Sequence, residues 1–161
     1  MTAPSIVDLP HSKDCLLLLE LVSRMALPVI LDSSHCPQDN DASNTLSDEN
    51  SSDQRYTIIC ADPVASLIIN EAISKENIFN KIRCLQKKHL SIDRPLNPGL
   101  IELPFQGGVA GFIGYPTISK RTKLEVSTGF LGVYHWAVIV DHQRATTKLA
   151  FHPNCCKATR E

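Results

Sequence analysis

Residues 103–115 read LPFQGGVAGFIGY, and residues 133–144 read VYHWAVIVDHQR. In the first segment, glycines punctuate large apolar residues, and glycine within a strand often marks a bulge or a close backbone contact. The second segment is an apolar run that suits a strand buried on both faces, and it ends in polar residues. Residues 147–151 can return antiparallel to residues 133–141 through that polar turn. These segments therefore predict a bent strand packed against another sheet, followed by a β-hairpin.

The rest of the chain predicts helices mixed with short strands. Apolar residues recur at helical spacing from the capping residue Ser12 to Met25. Ser74 begins a second predicted helix that runs to about His89. Further strands are predicted at residues 29–31, 55–60 and 67–69, the first of them buried. Since helices and strands do not alternate regularly, the predicted fold class is α+β, with mostly antiparallel sheets and flanking helices.

Length and composition limit the classes of protein to which the chain can belong. Its 161 residues, 43% of them hydrophobic and 20% charged, fit one domain spanning residues 1–161. A net charge of −1 gives no bulk attraction to nucleic acid. No apolar run approaches the roughly 20 residues that cross a bilayer, and residues 1–10 lack the pattern of a signal peptide. We therefore expect neither nucleic-acid nor membrane binding, and a cytoplasmic location.

An acidic segment interrupts the predicted elements. Residues 32–54 contain six Asp or Glu residues, many Ser and Asn, and no Lys or Arg. Such a segment buries too little apolar surface to offset its ordering entropy, so we predict a mobile acidic loop at about residues 34–54. Calcium binding is the alternative that the carboxylates raise. The run beginning at Asp39 lacks the glycine and the glutamate that an EF-hand calcium loop requires, which disfavours this alternative.

No motif for catalysis or for binding a metal or cofactor is complete. The six cysteines show neither C-x-x-C nor zinc spacing, and the histidines do not pair at i, i+4. The glycines of residues 107–114 lack the lysine of a phosphate-binding loop and the spacing of a dinucleotide site. We therefore expect no catalytic residue, no metal and no cofactor in this chain.

The separate cysteines and histidines receive structural interpretations. Cys15, Cys60 and Cys84 lie in apolar contexts and are predicted to be small core residues. His135 is predicted to lie within a strand as a hydrogen-bonded or partly exposed side chain, with a role as a base as the alternative. The adjacent cysteines at positions 155 and 156 leave a metal or redox role open.

Residues 103–115 and 133–144 resemble the amino-terminal domain of the aminodeoxychorismate synthase component I and anthranilate synthase component I family. Weaker similarity lies at residues 30–34 and 55–63, and the resemblance covers about residues 27–152. It is closer to the aminodeoxychorismate branch. It implies the amino-terminal half of the chorismate-utilising synthase fold, and a catalytic chorismate-binding domain that is absent from this chain. The expected function is that of a non-catalytic amino-terminal domain, as a fragment or a truncated form.

The resemblance also implies partners and ligands. In that family, component I makes 4-amino-4-deoxychorismate from chorismate, for 4-aminobenzoate and folate, with ammonia from a glutamine amidotransferase called component II. Magnesium binds in the family's catalytic domain, so none is expected here. The family's tryptophan pocket maps onto Leu31, Ser33, Arg55 and Tyr56, where a hydroxyl and an apolar or aromatic wall suit an indole. The alternative is that these four are ordinary strand residues.

The chain departs from the family pattern in two motifs. Pro116 follows Gly-Tyr where the family usually has Asp, and His135 stands between Tyr and Trp where the family usually has Asp. Loss of the two aspartates would weaken surfaces that normally meet the catalytic half or the amidotransferase. Three alternatives to the main interpretation stay open: a stand-alone tryptophan-binding regulatory module, the equivalent domain of anthranilate synthase component I, and a decayed product without function.

Overall fold

The computed structural model describes residues 5–11, 16–33, 55–69, 75–91, 103–114 and 129–160. The predicted acidic loop at residues 34–54, the cap at Ser12 and the core position of Cys15 lie outside these residues. The strands are β1 (Ser5–Leu9), β2 (Val29–Asp32), β3 (Tyr56–Cys60), β4 (Ala65–Ile69), β5 (Gly108–Ile113), β6 (Gly129–Tyr134), β7 (Trp136–Asp141) and β8 (Thr146–Phe151), and the helices are α1 (Leu16–Ser23), α2 (Lys75–His89) and α3 (Lys157–Arg160).

Two antiparallel sheets form the framework of the fold. The larger sheet has five strands in the order β1-β8-β7-β3-β2, and the smaller has three in the order β4-β6-β5. Every pair of neighbouring strands in these sheets is antiparallel. The predicted hairpin consists of β7 and β8, in register from Trp136 opposite Phe151 to Asp141 opposite Thr146. The α+β class with mostly antiparallel sheets is therefore confirmed.

The five-stranded sheet has apolar clusters on both faces, because its strand β7 is apolar on both sides. Val138 and Val140 pack on one face with Val22 of α1. Ala137 packs on the opposite face with Tyr134 of the three-stranded sheet. All six residues of β7 are buried as a result. Burial of apolar surface stabilises a fold by about 25 cal/mol per Å², so this strand contributes strongly to stability.

Helix α2 covers one face of the three-stranded sheet. Ile78 is buried in a cluster with Ile69 and Leu131, and Ile82 packs against the same cluster. The helix predicted from Ser74 is confirmed over Lys75–His89. Three basic residues form its last turn, where the helix dipole favours positive charge.

The prediction of one continuous strand over residues 133–141 is wrong, because His135 divides it between the two sheets. At this break the His135 carbonyl accepts a hydrogen bond from the His152 backbone N–H at 2.7 Å. The His135 ring is buried and bonds to the His89 carbonyl at 3.1 Å, which confirms the prediction of a hydrogen-bonded side chain. The chain passes from one sheet to the other without leaving the core. The apolar pattern is the same on both sides of the break and therefore does not reveal it.

Three smaller predictions are also corrected. Helix α1 ends at Ser23, two positions before Met25. The prediction that β2 is buried holds for Val29 but is wrong for Ile30 and Leu31, which are 44% and 48% exposed because β2 is an edge strand. Cys60 is buried as predicted, but Cys84 lies on the exposed side of α2.

The glycine-punctuated segment forms β5, as predicted. Gly111 has a φ of +146°, and a Cβ at this position would lie 2.1 Å from the carbonyl oxygen of Phe130 in β6. Glycine alone tolerates so close an approach of two backbones. Ala110 of the same strand packs with Cys60 of the larger sheet, so β5 is a strand packed against another sheet.

Candidate functional site

All four residues of the predicted pocket lie at one corner of the five-stranded sheet, which we call the strand-end corner. Leu31 of β2 lies opposite Ile58 of β3, and Ile58 packs toward the three-stranded sheet. Side chains alternate along a strand, and opposed residues share a face, so Leu31, Ser33 and Tyr56 face the same way. The corner consists of residues 31–33, 55–57, 141 and 142.

Ser33 is held at the corner by three hydrogen bonds with Tyr56. The Ser33 N–H and the Ser33 Oγ both donate to the Tyr56 carbonyl, at 3.0 and 2.8 Å. The Tyr56 N–H in turn donates to Ser33 Oγ at 3.0 Å. The Ser33 hydroxyl, which was predicted to contact a ligand, therefore extends the pairing of β2 with β3. A ligand that bonds to this hydroxyl would share it with the Tyr56 backbone.

Arg55 forms a bidentate ion pair with Asp141. Its Nε donates to both carboxylate oxygens at 3.1 and 3.0 Å, and its Nη2 donates to Oδ2 at 2.6 Å. The two side chains are 25% and 10% exposed, so solvent screens the pair only partly. The guanidinium also lies 4.7 Å from the centre of the Tyr56 ring. Arg55 thus connects the predicted aromatic wall to a carboxylate that the sequence analysis missed.

Asp141 is an ionised carboxylate that also closes the β7–β8 turn. Burial acts to raise the pKa of Asp141, but hydrogen bonds from Arg55 and from the Arg144 and Gln143 backbone outweigh it and hold the pKa below its usual value. The Arg144 and Gln143 N–H groups donate to Oδ1 at 3.0 and 3.1 Å. Asp141 is the first charged residue after the apolar run, and this position is the signal that could have identified it as a site residue.

A hydrogen-bonded row lies on the opposite face of the corner. Thr57 Oγ1 donates to Asp32 Oδ1 at 2.7 Å and lies 2.7 Å from His142 Nε2. Because a hydroxyl has one proton, it accepts a hydrogen bond from the ring nitrogen. Thr57 is only 3% exposed. None of the three was predicted as a site residue, although strand alternation places Thr57 and Asp32 on one face once the two strands are paired.

The strand-end corner combines bonded polar groups with apolar and aromatic surface. Its polar groups are engaged in an ion pair or in hydrogen bonds, while Leu31 and the ring of Tyr56 offer apolar and aromatic surface. Among the residues that the structure describes, no group of three His, Cys, Asp or Glu side chains is placed to hold a metal ion. Within those same residues, no helix has the length and apolar character needed to cross a membrane.

A separate groove of about 670 Å³ lies on the α1 side of the five-stranded sheet, between α1 and the segment that leads into α3. Trp136, Phe151 and Leu149 form part of its apolar lining. Cys156 also lines it, with Sγ 2.9 Å from Thr159 Oγ1, a hydrogen bond that lowers the pKa of the thiol. Its volume lies in the range of small-molecule sites. None of the four predicted pocket residues lines this groove.

Comparison with known proteins gives two related matches. No family model matches the chain. The chain is 31% identical over 120 residues to aminodeoxychorismate synthase component 1 of Escherichia coli strain K12, and 28% identical over 112 residues to the protein of that name in Salmonella typhimurium strain LT2. The matches cover 61% and 59% of this chain, but only 25% and 24% of the relatives. The chain thus spans about a quarter of their length. These matches confirm the predicted resemblance of the chain to aminodeoxychorismate synthase component I.

Proposed function

We propose that this chain is the amino-terminal, non-catalytic part of an aminodeoxychorismate synthase component I. The observation that carries the proposal is the match to the Escherichia coli relative. The chain is 31% identical to it over 120 residues, and the match covers 25% of that relative. The complete cytoplasmic protein would make 4-amino-4-deoxychorismate from chorismate, toward 4-aminobenzoate and folate. Its catalytic domain would bind magnesium, and a glutamine amidotransferase, component II, would supply ammonia. Both matched relatives carry the aminodeoxychorismate name, which favours this branch over the anthranilate branch.

An apolar row on the three-stranded sheet supports this proposal. Ile68 of β4 and Phe112 of β5 lie opposite Phe130 on either side of β6, and the two Phe rings pack edge to face with centroids 5.4 Å apart. Ile68 and Phe112 are 52% and 54% exposed. Adjacent exposed apolar groups mark interaction surfaces in folded proteins. We propose that the catalytic domain packs on this row.

A chimeric enzyme tests the proposed function. We expect a protein in which this chain replaces the matching quarter of the Escherichia coli relative to make 4-amino-4-deoxychorismate from chorismate and ammonia with magnesium. In this chimera Phe112→Asp should lower activity about tenfold, the effect of losing ~1.4 kcal/mol of packing. Val7→Asp is the matched control, because Val7 is 46% exposed on β1, outside the row. A folded chimera without activity would contradict the proposal.

The isolated chain is expected to be inactive with chorismate. A direct assay incubates the pure chain with chorismate, ammonia and magnesium and follows chorismate consumption. Magnesium-dependent consumption that a mock preparation lacks would overturn the non-catalytic assignment.

Tryptophan binding at the strand-end corner is a second candidate function. The observation that favours it is the gathering of Leu31, Ser33, Arg55 and Tyr56 at one corner. An indole ring would pack on Leu31 and Tyr56, with Arg55 held over the aromatic ring by its pairing to Asp141. This function would be regulatory, because the corner contributes no reacting group.

Titration calorimetry with tryptophan tests this second function. Leu31→Ala should weaken binding, whereas Ile30→Ala should not, because Ile30 is similarly exposed at 44% but faces the other side of β2. Ser33→Ala should weaken binding as well, with thermal melting used to check that loss of the bonds to Tyr56 has not unfolded the corner. No saturable heat at millimolar tryptophan would end this proposal.

A further inference from the structure

Two buried histidines stack at the break between the sheets. His135 and His152 are 8% and 5% exposed, and their rings lie 5.3 Å apart between centroids at an interplanar angle of 19°. Their backbones are also joined by the hydrogen bond from the His152 N–H to the His135 carbonyl. On another side, Gly107 packs so closely that a Cβ there would lie 2.7 Å from the His152 Cβ. The pair is therefore fixed in place by the surrounding chain.

Hydrogen-bond partners assign the protons of both rings. His152 Nδ1 accepts a hydrogen bond from the Asn154 backbone N–H at 3.2 Å, so this nitrogen carries a lone pair and the neutral ring holds its proton on Nε2. His135 Nε2 lies 3.1 Å from the His89 carbonyl, which can only accept, so His135 carries a proton on Nε2. The observed arrangement requires an unprotonated His152 Nδ1.

The same residues hold the end of α2 against the sheets. Asn154 Nδ2 donates to the His89 carbonyl at 2.9 Å and to the Ser91 carbonyl at 3.1 Å. The His89 carbonyl, at the last residue of α2, thus accepts from both His135 and Asn154. Because the Asn154 N–H donates to His152 Nδ1, Asn154 connects the His152 ring to the end of α2.

Ionisable groups of several elements lie around the pair. From α2, His89 is half-buried beside the pair, and two exposed lysines share its turn. Asp62 lines the groove that His135 also lines, and its carboxylate accepts from the Ala26 N–H. Cys155 and Cys156 follow from the segment after β8. Burial lowers the pKa of His135, the hydrogen bond to the His89 carbonyl opposes this, and the charge of His89 lowers the pKa further.

We propose that the stack of His135 and His152 is an acid-sensitive latch, which holds α2 on the sheets while both rings are neutral and releases its end when a proton enters the pair. A proton on His152 Nδ1 turns the acceptor of the Asn154 N–H into a second donor, so that contact becomes repulsive. Asn154 then loses its position, and its bonds to the end of α2 are lost with it. The close stacking also disfavours two positive rings, because like charges repel strongly in a buried site.

Hydrogen exchange at pH 7.5 and pH 5.5 tests the latch in the full 161-residue chain. The amide of Leu90, which donates to the Gln86 carbonyl at 2.8 Å, reports on the end of α2. After correction for intrinsic exchange, we expect its protection to fall about tenfold over these two pH units, within the limit of tenfold per pH unit that one linked proton sets. Protection of β7 should change much less. Equal protection of Leu90 at both values would overturn the proposal.

Two substitutions separate the latch from general acid sensitivity. His152→Asn keeps an acceptor near the Nδ1 position, and His135→Gln keeps a donor near the Nε2 position, but neither side chain titrates in this range. Both should reduce the pH response of Leu90, and His11→Asn, at a half-buried histidine bonded to Thr147, should not. An unchanged response in either variant would count against the latch.

Nuclear magnetic resonance of the unsubstituted chain provides a second test, which does not depend on whether a substituted chain folds. The nitrogen shift of His152 Nδ1 should move from the unprotonated toward the protonated value over the same pH interval in which Leu90 loses protection. Release of α2 without titration of either stacked ring would overturn the proposal.

Discussion

Strand β7 of the larger sheet and the apolar row of the smaller sheet differ in how completely their apolar residues are covered. Every residue of β7 in the five-stranded sheet is buried, because α1 packs on one face and the three-stranded sheet on the other. In the three-stranded sheet, α2 covers one face, and Ala110 and Tyr134 are buried on the other. Ile68 and Phe112 extend beyond that contact and are about half exposed. The centre of the larger sheet is thus a completed core, and its exposed large apolar residues Val7, Ile30 and Leu31 lie on the edge strands β1 and β2. The smaller sheet instead carries a row of adjacent exposed apolar residues, the surface that we propose for another domain.

Isoleucines in the two sheets test this comparison with the largest expected effect. Ile139 of β7 is 1% exposed, and Ile139→Ala should lower the free energy of unfolding by about 2–5 kcal/mol through lost burial and a cavity. Ile68 of β4 is 52% exposed, and Ile68→Ala should cost less than about 1 kcal/mol. Urea denaturation of both variants measures the difference. Similar losses would show that Ile68 and Ile139 are equally buried in solution.

A pair of glycines in β5 sharpens the account of the smaller sheet. Gly111→Ala should cost about 3 kcal/mol, at the upper end of backbone strain, because its φ is +146° and the new Cβ would clash with the Phe130 carbonyl. Gly108→Ala should cost less, because its nearest neighbour is the ring edge of Phe105 at 3.0 Å, and a side chain can move. Thermal melting of both variants provides the comparison. A larger loss from Gly108→Ala would refute the close backbone approach as the limiting contact.

Two ion pairs of the five-stranded sheet, one on its central strand and one on its edge strand β1, provide a third comparison. Asp141→Asn should cost about 1.5–3 kcal/mol, because the side chain is 10% exposed and its charge is bonded by Arg55 and by the hairpin turn. Asp8→Asn should cost roughly 0–1 kcal/mol, because Asp8 is 81% exposed where it pairs with Lys148. Chemical denaturation at neutral pH checks both values.

Acid should remove the contribution of Asp141. Its pKa is lower in the folded chain than in the unfolded chain, so the unfolded chain binds the proton more readily. The stabilisation is fully present above the unfolded pKa of about 3.9 and is lost as the pH falls through the lower folded pKa. The stability gap between the unsubstituted chain and Asp141→Asn should therefore shrink below about pH 4. A gap that stays constant to pH 2 would show that charge is not its cause.

The sequence predicted the elements whose signals are local. The β7–β8 hairpin follows from an apolar run, a polar turn and a second short strand, and these signals need no distant partner. Helix α2 likewise follows from a capping residue and helical spacing. The corner residues Ser33, Arg55 and Tyr56 came from family resemblance, and the structure places them together. Whether they bind a ligand remains a prediction.

Features that depend on pairing between distant segments could not be predicted in the same way. The break at His135 separates two equally apolar strands, and only their assignment to different sheets reveals it. Asp141 and Thr57 join the corner through the register of β3 with its neighbours. The exposure of Cys84 is a different case and could have been predicted. The helical spacing of Ile78 and Ile82 marks the face of α2 that meets the sheet, and Cys84 lies on the other side.

The size of the native polypeptide in source cells tests the central claim most directly. An antibody raised against this chain, used on a denaturing gel of cell extract, measures that size. We expect a band much larger than 17.8 kDa, as for the amino-terminal part of an intact synthase. A band at 17.8 kDa alone would contradict that account and indicate a free-standing domain.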